Sequence, residues 1–240
     1  MLFDAVLALA GLMAGSIASV AGFGIGSVLT PLLALRTDTR IAVAAVSIPH
    51  VLGTALRFSL LRGRVDRRIF LRFGIPSAAG GLLGALLHSA ASSRALSVVF
   101  GCLLLFVAAS EITGFMRRVR LGRGAAWAAG ALSGAFGGLV GNQGGIRSAA
   151  LLAFDLEKSA FVATATAVGL IVDAARMPVY VATAGQELLA MWRVIAVASA
   201  AVLAGTLIGS RLLVKVPDRL FRLVVAALLF SLGAWMLLNG

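Results

Sequence analysis

Apolar residues recur along this chain in stretches of roughly 20, each long enough to cross a hydrocarbon core of about 30 Å as a helix. Eight such segments are predicted, at about residues 3–35, 39–61, 70–90, 95–115, 125–154, 159–183, 188–213 and 219–238. The first and fifth differ from the rest because glycine interrupts them, as Gly22-Phe23-Gly24-Ile25-Gly26 in one and Gly141-Asn142-Gln143-Gly144-Gly145 in the other. Backbone at such places is free to leave the helix.

The two interruptions belong to an internal repeat. A shift of 119 positions places Gly15 on Gly134, Gly22 on Gly141, Gly26 on Gly145, Leu32-Leu33 on Leu151-Leu152 and Arg57 on Arg176, without gaps. A shift of 125 places Gly80 on Gly205, Gly84 on Gly209 and Arg94 on Arg219. Each half therefore has one broken segment followed by three intact ones. The expected organisation is a first membrane repeat over 1–115, a basic cytoplasmic linker over 116–124 and a second membrane repeat over 125–240.

Composition agrees with the pattern. The 240 residues are 60% hydrophobic and 12% charged, against about 25% charged in soluble domains, so the chain reads as a polytopic all-α membrane protein. A net charge of +12 would suggest nucleic acid in a soluble protein, but the 21 Lys and Arg residues sit mostly in short links and report topology. Cys102 is the one cysteine, so neither a disulfide framework nor a metal-ligand spacing is expected. Met1-Leu2-Phe3-Asp4 lacks a basic leader region, and no cleavage is expected.

The most basic link holds Arg62, Arg64, Arg67, Arg68 and Arg72. Next come Arg117, Arg118, Arg120 and Arg123, and then Arg211, Lys215, Arg219 and Arg222, while the link near Glu187 is poor in positive charge. Positive-rich links belong in the cytoplasm. All three share a side only if the broken fifth segment contributes an even number of crossings; a re-entrant hairpin in each half is the expectation, and a shallow double crossing gives the same parity. Each half then crosses an odd number of times, which inverts the second half and puts both termini in the periplasm. The piece after each break spans about ten residues, or about 15 Å, half a bilayer.

Glycine breaks at matching places in inverted halves mark a transporter's substrate site, and a half-helix N-terminus presents free N–H groups to an anion. Gly22, Gly24, Gly26, Ser27, Asn142, Gln143, Gly144, Gly145 and Arg147 are thus the substrate-binding candidates, with Arg147 the main charge partner because an unpaired membrane arginine costs at least about 2.5 kcal/mol. Gly15, Gly80, Gly81, Gly84, Gly205 and Gly209 read as helix-packing positions. Arg57 and Arg176 are placed equally for substrate contact or for snorkelling to the headgroups. Asp173, three residues before Arg176, is a proton-relay candidate, although neutralising Arg176 is the simpler role. His50 is the other proton-coupling candidate, or else bonds to a neighbouring helix. His88 and Glu111 are expected to be solvated near segment ends, and Pro31, Pro76 and Pro178 to mark kinks.

These motifs resemble the sulfite exporter TauE/SafE family of anion permeases over essentially the whole chain. Each repeat opens with a motif like Gly-x-Gly-Gly-Gly, then four residues and Pro. Gly22 to Pro31 fits except at Ile25, whereas Gly141 to Ala150 departs at Gln143 and Ala150. The resemblance implies secondary transport of sulfite, a sulfonate, thiosulfate or a related organic anion across the bacterial inner membrane, and no enzyme activity. It implies partners limited to the anion, a coupling proton or sodium ion, the lipid bilayer and a second copy in a homodimer, with no cofactor, metal or nucleic acid. An intramembrane enzyme acting on a lipid-linked phosphate, or a channel, is the alternative, but acid–base or metal chemistry on phosphate needs carboxylates or a histidine. Only Asp173 and His50 are placed to serve.

Overall fold

The structure, a computed structural model, describes residues 2–22, 24–115, 123–151, 154, 156–212 and 218–239. Phe23 and Leu152 of the aligned motifs, and Arg117, Arg118, Arg120 and Lys215 of the basic links, lie outside the described residues, as do the side chains of Arg123, Arg219 and Arg222. Every regular element among the described residues is helical. The first half comprises α1 (Leu2–Ala21), α2 (Ile25–Ala34), α3 (Thr39–Leu61), α4 (Arg67–Ala90) and α5 (Ser93–Thr113). The second comprises α6 (Arg123–Val140), α7 (Gly144–Leu151), α8 (Lys158–Ala190), α9 (Trp192–Leu212) and α10 (Asp218–Asn239). Among the described residues, six helices are long and apolar enough to cross a membrane.

Both glycine interruptions end a helix, as expected. Gly22 and Gly141, aligned in the repeat, have φ of 79° and 74°, a left-handed backbone that an L side chain resists by roughly 1–2 kcal/mol. Just past each break the chain touches the helix it has left. A Cβ at Gly24 would stand 2.9 Å from Ile17, and Ser133 Oγ donates to the Gln143 carbonyl at 2.7 Å. The two arms are unequal: α1 has 20 residues, about 30 Å, and α2 only 10, about 15 Å.

The predicted boundaries shift in three places. Helix α6 begins at Arg123, inside the expected linker. Helix α8 leaves helical geometry at Ala184, one residue past the expected end at 183, then resumes across the expected Glu187 link to Ala190, and α9 begins only at Trp192. Gln186, Glu187, Leu188 and Leu189 are good helix formers and carry the backbone on. The non-helical backbone inside α8 falls at Ala184, six residues after Pro178.

Helix pairs recur when the halves are exchanged. Helix α4 packs on α6 as α9 packs on α1, α4 meets α8 as α9 meets α3, and α3–α8 and α5–α10 join equivalent helices. The packing glycines show the match at atomic detail. A Cβ at Gly80 would lie 2.1 Å from the Ala131 carbonyl, and one at Gly205 would lie 2.1 Å from the Leu12 carbonyl. Ala131 and Leu12 are themselves 119 positions apart, so one close-packed interface is built twice. Helices α3 and α8 run antiparallel, because His50 reaches Asp173 while Arg57, further along α3, reaches Thr166, earlier on α8.

Candidate functional site

The two breaks meet in the interior. A Cβ on Gly26, in the first turn of α2, would be 2.3 Å from the Gly141 carbonyl of the other break. From the first turn of α7, Arg147 crosses the other way, and its Nη2 donates to the Gly22 carbonyl at 2.8 Å. Gly24, Gly26, Ser27, His50, Asn142, Gln143, Gly144 and Arg147 line the small cavity between them, with Gly141. At about 10 Å³ it has room for roughly one water.

Helix geometry supplies donors here. Val28 N–H bonds back to Gly24 O and Arg147 N–H to Gln143 O, which are the first intrahelical bonds of α2 and α7. The amides before them, at Ile25, Gly26 and Ser27 and at Gly144, Gly145 and Ile146, are the orphan donors of a helix start. Arg147 therefore offers its side chain, and not its amide, to this cavity.

Polar groups at the breaks lack partners. Ser27 Oγ, Asn142 Nδ2, both Gln143 amide atoms, and Arg147 Nε and Nη1 are buried without a hydrogen-bond partner among the described residues. Burying such groups unpaired costs about 1–3 kcal/mol each, and more for a charge.

Neither Arg57 nor Arg176 lines this cavity, although Arg176 Nη1 lies 3.6 Å from a Cβ placed on Gly141, and neither snorkels, being 4% and 1% exposed. They hold equivalent places: Arg57 Nη1 donates to the Ala18 carbonyl, and Arg176 Nη1 donates to the Gly137 carbonyl at 2.6 Å. Their remaining partners differ. Arg57 Nε donates to Thr166 Oγ1 at 3.0 Å, whereas Arg176 bonds Asp173 through Nε at 3.0 Å and Nη2 at 2.7 Å. Asp173 Oδ2 also lies 2.8 Å from His50 Nδ1, so the carboxylate that pairs with Arg176 also bonds His50 across from α8 to α3. Arg57, Arg147 and Arg176 thus share one buried carboxylate among the described residues, and Arg176 and His50 already engage it. Beside Arg57 a pocket of about 450 Å³ opens on the Glu157 face.

Sequence reasoning missed three participants. Gly169 makes room for Arg147, since a Cβ there would lie 2.8 Å from Nη1. The signal was present in the repeat: Arg147 and Gly169 align with Val28 and His50, so a large polar side chain at one position accompanies a smaller residue at the other. His88 is not solvated but 2% exposed, with Nδ1 2.8 Å from the Leu139 carbonyl and Nε2 3.1 Å from the Arg40 carbonyl. Tyr180, fully buried beside it, donates its hydroxyl to the Gly138 carbonyl. A position near a predicted segment end gave no sign that α6 and α3 would cover His88.

Apolar helices of membrane-spanning length around a buried excess of cationic groups define a polytopic membrane protein suited to anions. The chain belongs to the sulfite exporter TauE/SafE family, whose family model matches residues 7–236, and is a transmembrane transporter of that family. Comparison with curated proteins and with solved structures finds no match.

Proposed function

We propose that the chain is a secondary transporter moving a small anion, of the sulfite, sulfonate, thiosulfate or related organic class, across the bacterial inner membrane. The anion binds between the N-termini of α2 and α7, at the interface of two inverted repeats, 1–115 and 125–240. The single observation that carries this is Arg147, a guanidinium 2% exposed with Nε and Nη1 unpartnered, at the edge of a cavity lined by two helix starts. A bound oxyanion would take up both nitrogens and the orphan amides together. Because the cavity has about 10 Å³, binding requires the two breaks to part, and this is the movement that couples occupancy to access.

Inversion is supported by the antiparallel α3–α8 pair, which joins repeat-equivalent helices. Re-entry of the broken segments is supported by Gly24 lying against Ile17 and the Gln143 carbonyl against Ser133. With the link at Arg62 to Arg72 cytoplasmic, both termini are periplasmic. The His50–Asp173 contact, 2.8 Å long and within the transport core, is the place for a coupling proton.

The test is thermal unfolding of purified protein against sulfite, sulfate, thiosulfate, small sulfonates and carboxylates, where a ligand at 100 times its Kd stabilises by about 2.7 kcal/mol. Arg147→Lys keeps the charge but loses the planar fork, so the stabilisation shrinks; Arg147→Ala removes it. A folded Arg147→Ala protein that bound and moved the anion like the parent would overturn the site and shift it to Arg57 or Arg176.

A further inference from the structure

Resting on the anion-transport reading above, we propose that the pocket at Arg57 is a second binding subsite for a small oxyanion, and that its repeat counterpart beside Arg176 is occupied by Tyr180. The pocket, about 450 Å³, is lined by Arg57, Ser19, Thr206, Ser210 and Leu61, with Glu157 at the rim. Arg57 commits Nε to Thr166 and Nη1 to Ala18, and Nη2 has no hydrogen-bond partner among the described residues. Thr206 Oγ1, 1% exposed, is likewise buried without a partner. A guanidinium nitrogen free of other partners is a donor for an oxyanion, and the unpartnered Thr206 hydroxyl stands in the pocket wall, where a rotation about its side chain would bring it to the same ligand. Glu157 is exposed and accepts from Ser159 at 3.2 Å, so its charge is at the mouth and not against Arg57.

The repeat shows what closes such a pocket. The shift of 119 carries Arg57 onto Arg176, Leu61 onto Tyr180 and Ser19 onto Gly138, and the shift of 125 carries Ala85 onto Ser210. Where Leu61 leaves the first pocket open, the Tyr180 ring fills the second: its hydroxyl donates to Gly138, its ring lies 5.0 Å from His88 and 5.7 Å from the Arg176 guanidinium, and Ala85 belongs to the same buried cluster. Antiparallel α3 and α8 put the two pockets toward opposite ends of the helices. The same subsite thus exists twice, open on the Glu157 face and shut on the other.

The test uses Cys102→Ala protein carrying Ser210→Cys, in nanodiscs of neutral lipid, labelled with a small anionic thiosulfonate and read by mass spectrometry. Sulfate or ethanesulfonate at ten times its Kd, against chloride at equal ionic strength, should slow labelling about tenfold. Thr206→Val, which removes only an unpartnered hydroxyl, and Arg57→Lys should each weaken that protection. In the counterpart, Ala85→Cys should resist labelling and become reactive when Tyr180→Leu is added. Absence of protection by either anion, protection unaltered in both variants, or an Ala85→Cys that stays inert beside Tyr180→Leu would overturn the proposal. So would protection by phosphatidylglycerol nanodiscs to which sulfate adds nothing, since the ligand would then be a lipid headgroup. Anion stabilisation that depends on Arg147 while labelling of the Ser210→Cys protein is unaffected would sink this subsite and leave the central site standing.

Discussion

Asp173→Asn is expected to destabilise the protein by about 3–5 kcal/mol, the usual cost of breaking a buried ion pair from one side. The carboxylate is 0% exposed and faces Arg176 through Oδ1 and His50 through Oδ2, at 2.7–3.0 Å. Asparagine keeps the volume and one acceptor, so part of the hydrogen bonding survives. What disappears is the charge, worth about 4 kcal/mol to a partner 4 Å away at an effective dielectric near 20. Arg57, Arg147 and Arg176 would then share no buried carboxylate among the described residues. At about 2–4 °C per kcal/mol for a chain of this size, the midpoint of unfolding should fall by roughly 6–20 °C. Tryptophan fluorescence during heating in detergent reads the change. The double variant Asp173→Asn, Arg176→Gln should recover part of the loss, because the orphaned cation is gone, with a coupling energy in the range of about 0.5–3 kcal/mol. A single variant within about 2 °C of the parent, or a double variant whose losses simply add, would refute the view that Asp173 neutralises this cationic core.

Gly26→Ala places a methyl 2.3 Å from the Gly141 carbonyl, so the breaks must separate, costing about 1–3 kcal/mol and loosening anion binding in the thermal-shift screen. Gly141→Ala meets no such clash, with Val43 the nearest at 3.5 Å, but forces a left-handed alanine and should cost roughly 1–2 kcal/mol of stability by the same readout. Accessibility of cysteines placed at residues 2 and 239 should be periplasmic and that of one at residue 64 cytoplasmic; a cytoplasmic terminus would refute the inverted-hairpin topology.

The helical membrane class, the approximate spans and both breaks were legible in the sequence, since each depends on local terms. Hydropathy over a stretch of about 20 residues decides whether it enters a bilayer, and glycine at Gly22 and Gly141 permits a backbone that other residues resist. The helical stretch after the break at Ala184 was not legible, because Gln186, Glu187, Leu188 and Leu189, strong helix formers, take up helix again and carry it to Ala190 across the expected link. Side-chain partners were legible only where they lay on the same helix, as with Arg176 and Asp173 three residues apart. Tertiary structure alone decided that His50 faces Asp173 across α3 and α8, that Arg57 is buried on Ala18 and Thr166, and that His88 ends against Leu139 and Arg40. It also decided that Tyr180 fills a space its counterpart Leu61 leaves open. Such choices depend on which helix faces adjoin, and in a bilayer that is set by close packing of small residues between helices more than by the hydropathy a sequence displays.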